Sequence, residues 1–128
     1  MRMTFPTVFT AGIFALGLTA ALAQTAPATT ADTSKGKALV DSKGMTLYVF
    51  DKDTAGTSNC NDQCATNWPP LMAAAGAKAS GQWTVVSRKD GMTQWAYKGL
   101  PVYTFHKDEK PGDVTGDGVN NVWHIAAP

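Results

Sequence analysis

The sequence predicts a small, all-β (β-dominated) single domain made of two β repeats related by a rough twofold axis. Three observations carry this expectation: a self-match at one fixed offset, strand-forming residues at the centre of each matched segment, and helix signals confined to short stretches. Sliding the 128-residue chain against itself by 55 positions aligns Gly36 with Gly91, Lys43 with Lys98, Gly44 with Gly99, Tyr48 with Tyr103 and Phe50 with Phe105. Lys52 then meets Lys107, Asp53 meets Asp108, Asp62 meets Asp117 and Trp68 meets Trp123. All nine identities fall at one offset without a gap, which points to duplication of a supersecondary unit and not to a long solenoid array. The repeats are expected at about 36–72 and 91–127, within a domain spanning 35–128, each covering the apolar side of the other.

The elements follow from local chemistry. Thr46–Phe50 and Val102–Phe105 are β-branched and aromatic, the composition that suits a pleated, half-buried surface. At a period of two, Tyr48 and Phe50 share one face of their strand and Leu47 and Val49 share the other. A strand apolar on both faces is expected at the centre of its sheet. Lys43-Gly44 and Lys98-Gly99 precede these strands as turns in which glycine supplies a positive φ. Trp83–Tyr97 reads as a hairpin bent at Arg88–Gly91, with Asp90-Gly91 as a type I′ signal. Val122–Ile125 closes the chain as a last short strand. One helical turn is expected at about 61–67, around the CxxxC loop, with a weaker helical tendency over the alanine-rich 72–79.

Residues 1–23 have the pattern of an export signal. Arg2 precedes an apolar run from about Val8 to Leu22, which ends in the small-x-small sequence Ala21-Leu22-Ala23. Residues 24–34 (QTAPATTADTS) offer nothing bulky to bury and are expected to form a flexible leader. The chain holds 11 basic and 10 acidic residues, and loss of 1–23 takes Arg2 with it and leaves the mature charge at zero. That balance argues against nucleic acid or an anionic membrane as partner. The first cysteine is Cys60, so no lipid anchor is expected on the mature amino end.

Two cysteines are too few for a disulfide scaffold or a four-thiolate zinc site. On a helical turn, Cys60 and Cys64 would lie about 6 Å apart on one face, within reach of a disulfide. Export places them in oxidising surroundings, so a structural bond contributing about 2 kcal/mol is expected. A redox-active pair or a metal site is the alternative, although CxxC and CxxCH are both absent. The second copy has Thr115 and Val119 at these positions, which makes the bond an addition to the first copy.

Candidate functional residues are few. Asp113–Asn121 superficially follows a calcium loop, with Asp113 and Asp117 as oxygen ligands, but position 12 is His124 where a bidentate glutamate belongs. An ordinary Asx-rich turn explains the same residues. Asp53 and Asp108, each three residues past a strand phenylalanine, are placed to accept backbone N–H bonds, with a general acid/base pair as the catalytic alternative. A copper site formed by His106 and His124 with Met45, Met92 or Asp108 is a further alternative, though their spacing is not that of a metal site. GxSxG, HExxH and phosphate loops are all absent. Trp68, Trp83, Trp95 and Trp123 are expected to supply much of the buried area.

The twin segments Tyr48-Val49-Phe50-Asp51-Lys52-Asp53 and Tyr103-Thr104-Phe105-His106-Lys107-Asp108 resemble the bacterial secreted repeat of the Yx(F/W/Y)xxD lipoprotein family. Cys60/Cys64 followed by Trp68-Pro69-Pro70-Leu71, and the closing Gly116…Val122-Trp123, share the resemblance, which covers about 37–125. It implies an exported tandem-repeat domain with no established activity. It also makes Tyr48, Phe50, Asp53, Trp68, Tyr103, Phe105, Asp108 and Trp123 the structural or binding motif. The missing lipobox cysteine implies a periplasmic or secreted form without a membrane anchor. The resulting expectation is a non-enzymatic binding or scaffolding module of the cell envelope that needs no cofactor and meets an envelope protein or a small ligand. A metal-handling or redox accessory protein using His106 and His124 is the alternative, and an enzyme using Asp53 and Asp108 ranks third.

Overall fold

A computed structural model describes residues 26–128, so the export signal expected at 1–23 lies outside the described residues. Strands β1 (Thr29–Thr33) and β2 (Gly36–Val40) form a hairpin, followed by β3 (Tyr48–Phe50) and helix α1 (Gln63–Asn67). Strands β4 (Trp83–Ser87), β5 (Thr93–Tyr97) and β6 (Leu100–Pro101) form a three-stranded sheet. A 3-10 turn (Val119–Asn121) then leads into β7 (Trp123–Ile125). The architecture is mostly strand with one short helix, as the residue pattern predicts.

The flexible leader expected through Ser34 is corrected at Thr29, where β1 begins. Every β1 residue pairs with β2, from Thr29 opposite Val40 to Thr33 opposite Gly36. These threonines stay largely outside the core, but β2 buries Ala38, Leu39 and Val40, and the ladder orders its partner through backbone bonds and β-branched propensity. Each repeat therefore starts with a hairpin, β1–β2 in the first and β4–β5 in the second, earlier than the 36 and 91 expected.

Two other local expectations change. The β4–β5 bend is a three-residue loop in which Arg88 N–H donates to Met92 O and Gly91 N–H to Arg88 O. Only Gly91 takes positive φ there, so Asp90-Gly91 is not a type I′ turn. That turn is at Lys98-Gly99, with φ values of 52° and 86°, where two residues join β5 to β6. The alanine-rich 72–79 is not helical. Met72 bridges to Gln94, Ala73 N–H donates to Thr93 O, and most of the segment is exposed, leaving no second apolar stripe for a helix to bury.

Strand β3 is central, as its two apolar faces require. On one side it pairs with β7, with Tyr48 opposite Ile125 and Phe50 opposite Trp123. On the other, Tyr48 and Tyr103 exchange both backbone bonds, at 2.7 and 3.0 Å. The second copy repeats the arrangement in reverse: Thr104 N–H donates to Pro69 O and Leu71 N–H to Val102 O. The last segment of each repeat, 69–71 in the first and β7 in the second, is thus laid against the aromatic segment of the other, through isolated bridges at Tyr103 in place of the regular strand expected over 102–105. Tyr48 and Tyr103 flank the pseudo-twofold axis.

Both cores draw on both repeats. Leu39, Leu47, Trp83, Val102 and Ala126 form one, with Val49, Leu71, Trp95 and Tyr97 around it. Tyr48, Cys60, Trp68, Tyr103, Phe105 and Trp123 form the other. Gly116 is fixed by the second core. A Cβ there would meet Trp68 Cη2 and Cζ3 at 2.9 Å and Phe105 Cδ2 at 3.0 Å. Both rings are held in a stack, so we expect Gly116→Ala to cost about 1–3 kcal/mol by overpacking, read as a lower urea midpoint at unchanged m-value.

Candidate functional site

The motif residues converge at the junction of the repeats. Phe50 stacks on Trp123 (ring centroids 4.3 Å apart), Trp123 on Trp68 (3.7 Å, planes within 1°) and Trp68 on Phe105 (4.0 Å). Four rings therefore form one column, in which each phenylalanine lies against the tryptophan of the other repeat. Tyr48 meets Trp68 edge-on at 5.4 Å, and Tyr103 meets Trp123 in the same way at 5.2 Å.

The tyrosine hydroxyls cross the junction as well. Tyr48 donates to Asp108 Oδ2 and Tyr103 donates to Asp53 Oδ2, both at 2.6 Å. The other oxygen of each carboxylate serves its own repeat: Asp53 Oδ1 accepts from Asn59 N–H at 2.6 Å, and Asp108 Oδ1 accepts from Thr115 N–H at 3.0 Å. The twin aspartates are therefore both turn-fixing acceptors and partners for a phenol from the opposite copy. The cross-repeat half of that role was missed because nothing in either copy alone signals it.

Tyr103 spends its one proton on Asp53, so the Ser58 hydroxyl 2.6 Å away must donate to the phenol oxygen. Ser58 Oγ in turn accepts from Arg88 Nη1 at 3.0 Å. Arg88 is buried, and it also donates to Gln94 Oε1 and to Cys60 O, both at 2.9 Å. The network spans both copies, but its hub has no counterpart in the first: at the same offset Thr33 stands in place of Arg88 and Leu39 in place of Gln94.

The electrostatics follow burial. Burial first, and then the bond to a carboxylate, push the Tyr48 and Tyr103 phenols well above the ordinary tyrosine range. Burial also raises the Asp53 carboxyl, opposed by its bonds from Tyr103 and Asn59 and by the nearby Arg88 charge. The backbone N–H of Met92 lowers exposed Asp90, and that of Glu109 lowers half-buried Asp113.

An alkaline prediction follows from the tyrosines. Below about pH 10 both folded and unfolded phenols are protonated, and the fold keeps its full stability. Above that pH the unfolded chain releases protons that the folded chain retains. Stability should then fall by about 1.4 kcal/mol per pH unit per phenol, or about 2.7 for the two. Urea titrations at stepped alkaline pH measure it, and a flat profile above the unfolded tyrosine range would contradict the buried assignment.

A cleft of about 440 Å³ opens beside the column, lined by Phe50, Trp68, Trp123, Val122 and Cys64, with Lys52, Asn67 and Asn120 supplying polar groups. Asn120 and its neighbour Asn121 adopt left-handed φ values of 51° and 61°, a conformation asparagine tolerates better than most residues. Cys60 and Cys64 are disulfide-bonded with Cα atoms 5.2 Å apart. They do not share a helical turn, since Cys60 precedes the Asp62 cap, whose φ is 54°.

The expected metal candidates are spent elsewhere. His106 Nδ1 bonds Asn67 O at 2.9 Å, and His124 Nε2 bonds Asp51 Oδ2 at 2.8 Å. Asp113 turns back to accept from the N–H groups of Glu109 and Lys110, and Asp117 Oδ1 accepts from Ile125 N–H. Among the described residues no group of three or more His, Cys, Asp or Glu side chains is placed to hold a metal ion. In the calcium-like pattern these carboxylates face backbone donors, as in an Asx-rich turn.

The sequence pattern of the Lipoprotein_15 family, a secreted repeat of unknown function, matches residues 29–72 and 84–127. The chain belongs to this family. The two matched spans lie 55 residues apart at both ends, the offset at which the twin motifs align. In this secreted repeat each span opens within a hairpin and closes just past the segment that pairs with the other copy, 69–71 in the first and β7 in the second. No curated protein and no solved structure matches the chain.

Proposed function

We propose that this secreted repeat is a non-enzymatic binding or scaffolding module of the bacterial cell envelope. On this reading 1–23 is removed on export, and the mature chain works in the periplasm or outside the cell. One observation carries the reading. The groups that could do chemistry (Tyr48, Tyr103, Asp53, Asp108 and Arg88) are buried and bonded to one another or to backbone, whereas the cleft presents Lys52 and Asn120 at its exposed rim. A general acid/base pair needs reach to a substrate proton, and these carboxylates already hold phenols. An aromatic floor with a few polar groups at its edge suits recognition of an envelope protein segment or a small ligand.

A photo-crosslinking amino acid at Lys52, carried by the protein in its own cells, tests the proposal. Discrete adducts at Lys52, absent when the same group is placed at Lys78 on the exposed 72–79 segment, are expected. Identical adducts at both positions, or none at either, would count against a binding cleft.

A further inference from the structure

Nothing in a binding role requires the way the aromatic residues are ordered. The column runs unbroken from Phe50 through Trp123 and Trp68 to Phe105, with contacts of 4.3, 3.7 and 4.0 Å. Phe50, Trp68 and Trp123 line the open cleft, so the column is approachable from solvent at that point. Each tryptophan has a tyrosine edge-on to it, and each tyrosine hydroxyl lies 2.6 Å from a carboxylate oxygen. Two stacked indoles share a positive hole more readily than one. A phenol bonded to a carboxylate can give up its electron and proton together.

We propose that the column traps one-electron oxidising equivalents, which enter at the cleft and come to rest as a neutral tyrosyl radical on Tyr48 or Tyr103. The substrate class is a one-electron oxidant small enough to reach the cleft. It takes one electron from the Trp68/Trp123 pair and is reduced by that electron, leaving an indole radical cation. The edge-on tyrosine returns one electron to the indole. Its phenolic proton moves along the 2.6 Å bond, from Tyr48 to Asp108 Oδ2 or from Tyr103 to Asp53 Oδ2. The products are the reduced oxidant, neutral tryptophan, a neutral tyrosyl radical and a protonated carboxyl; no bond between heavy atoms forms or breaks. Both phenols keep their protons far into the alkaline range, so oxidation without an adjacent base would be blocked. The carboxylates supply that base. The activity is independent of the binding role, since it needs only the column and not an occupant.

The test uses photogenerated ruthenium(III) tris-bipyridine as oxidant, freeze-quenching and electron paramagnetic resonance. The chain has three tyrosines, and the third, Tyr97, is half-buried beside Trp83 in the other core. Tyr97→Phe should therefore leave a tyrosyl signal of wild-type yield, resistant to ascorbate because the radical is buried. With the other phenol removed, in Tyr103→Phe/Asp108→Asn and in Tyr48→Phe/Asp53→Asn, the radical should form several-fold more slowly than in the matching Tyr→Phe single variant, with an altered solvent deuterium isotope effect. Loss of either carboxylate for structural reasons alone would not change that isotope effect. Loss of the tyrosyl signal in Tyr97→Phe, or a tryptophan radical with no tyrosyl successor in the wild type, would overturn the proposal.

Discussion

Trp123→Ala should cost about 3–5 kcal/mol, a large share of the 5–15 kcal/mol that holds a domain of this size together. Trp123 is 3% exposed and sits inside the column, stacked on Phe50 and Trp68 and met edge-on by Tyr103. Truncation removes the indole from all three contacts at once. The cavity left behind cannot close easily, because its walls come from different repeats tied by the crossed tyrosine–aspartate bonds. Urea unfolding reads the loss directly. Near-ultraviolet circular dichroism supplies an independent check: the parallel Trp68/Trp123 pair should give a strong aromatic signal, lost in either Trp→Phe variant even if that variant stays folded. A shift of the urea midpoint no larger than that of a surface substitution would mean that the column is not the centre of the fold.

Arg88→Ala should have an effect of similar size for a different reason. The side chain is buried and its guanidinium holds Ser58, Gln94 and Cys60 O together while offsetting the charge of Asp53. Removing it leaves buried acceptors without donors and a carboxylate without its counter-charge, the situation that costs about 3–5 kcal/mol. Lysine should rescue little of this, since Nη1 and Nη2 serve separate partners and a single ammonium cannot span them. Asp90, an exposed carboxylate that accepts from Arg88 Nε at 3.1 Å, gives the control: Asp90→Asn should shift the urea midpoint no more than an ordinary surface substitution. Equal losses from Arg88→Ala and Asp90→Asn in parallel urea titrations would refute the buried-hub account.

What could be read from the sequence divides along physical lines. The strand at 48–50, its two apolar faces and the duplication were legible because period-two apolar patterning and exact residue matches are local or one-dimensional signals, whereas 102–105 forms no regular strand and keeps only the bridges of Tyr103 to Tyr48 and Pro70, just past the two-residue β6. The family followed from the same twin segments. The β1 strand was not legible, since Thr29–Thr33 carries no apolar pattern of its own and is ordered by pairing with β2. The turn type at Asp90-Gly91 was misread because a dipeptide preference cannot tell a two-residue loop from a three-residue one. Within the site, Asp53 and Asp108 were singled out and the backbone half of their role was foreseen. Their bonds to Tyr103 and Tyr48 span 50 and 60 residues and depend on how the copies interlock. Arg88 was read only as part of a bend. The signal that could have found it was the comparison of copies, in which Arg88 and Gln94 replace Thr33 and Leu39 together.

The two repeats complete one another, so neither should fold alone. Cutting the chain within the exposed 74–80 segment yields one fragment ending there and another beginning there, each with half of every crossed pair. Near-ultraviolet circular dichroism of each fragment, and then of an equimolar mixture, is the most direct measurement. The interlocked arrangement predicts featureless spectra for the separate fragments and the intact protein's aromatic spectrum on mixing, abolished when one fragment carries Trp123→Ala. A fragment that folds by itself with a fixed aromatic environment, or a mixture that merely sums two unfolded spectra, would contradict it.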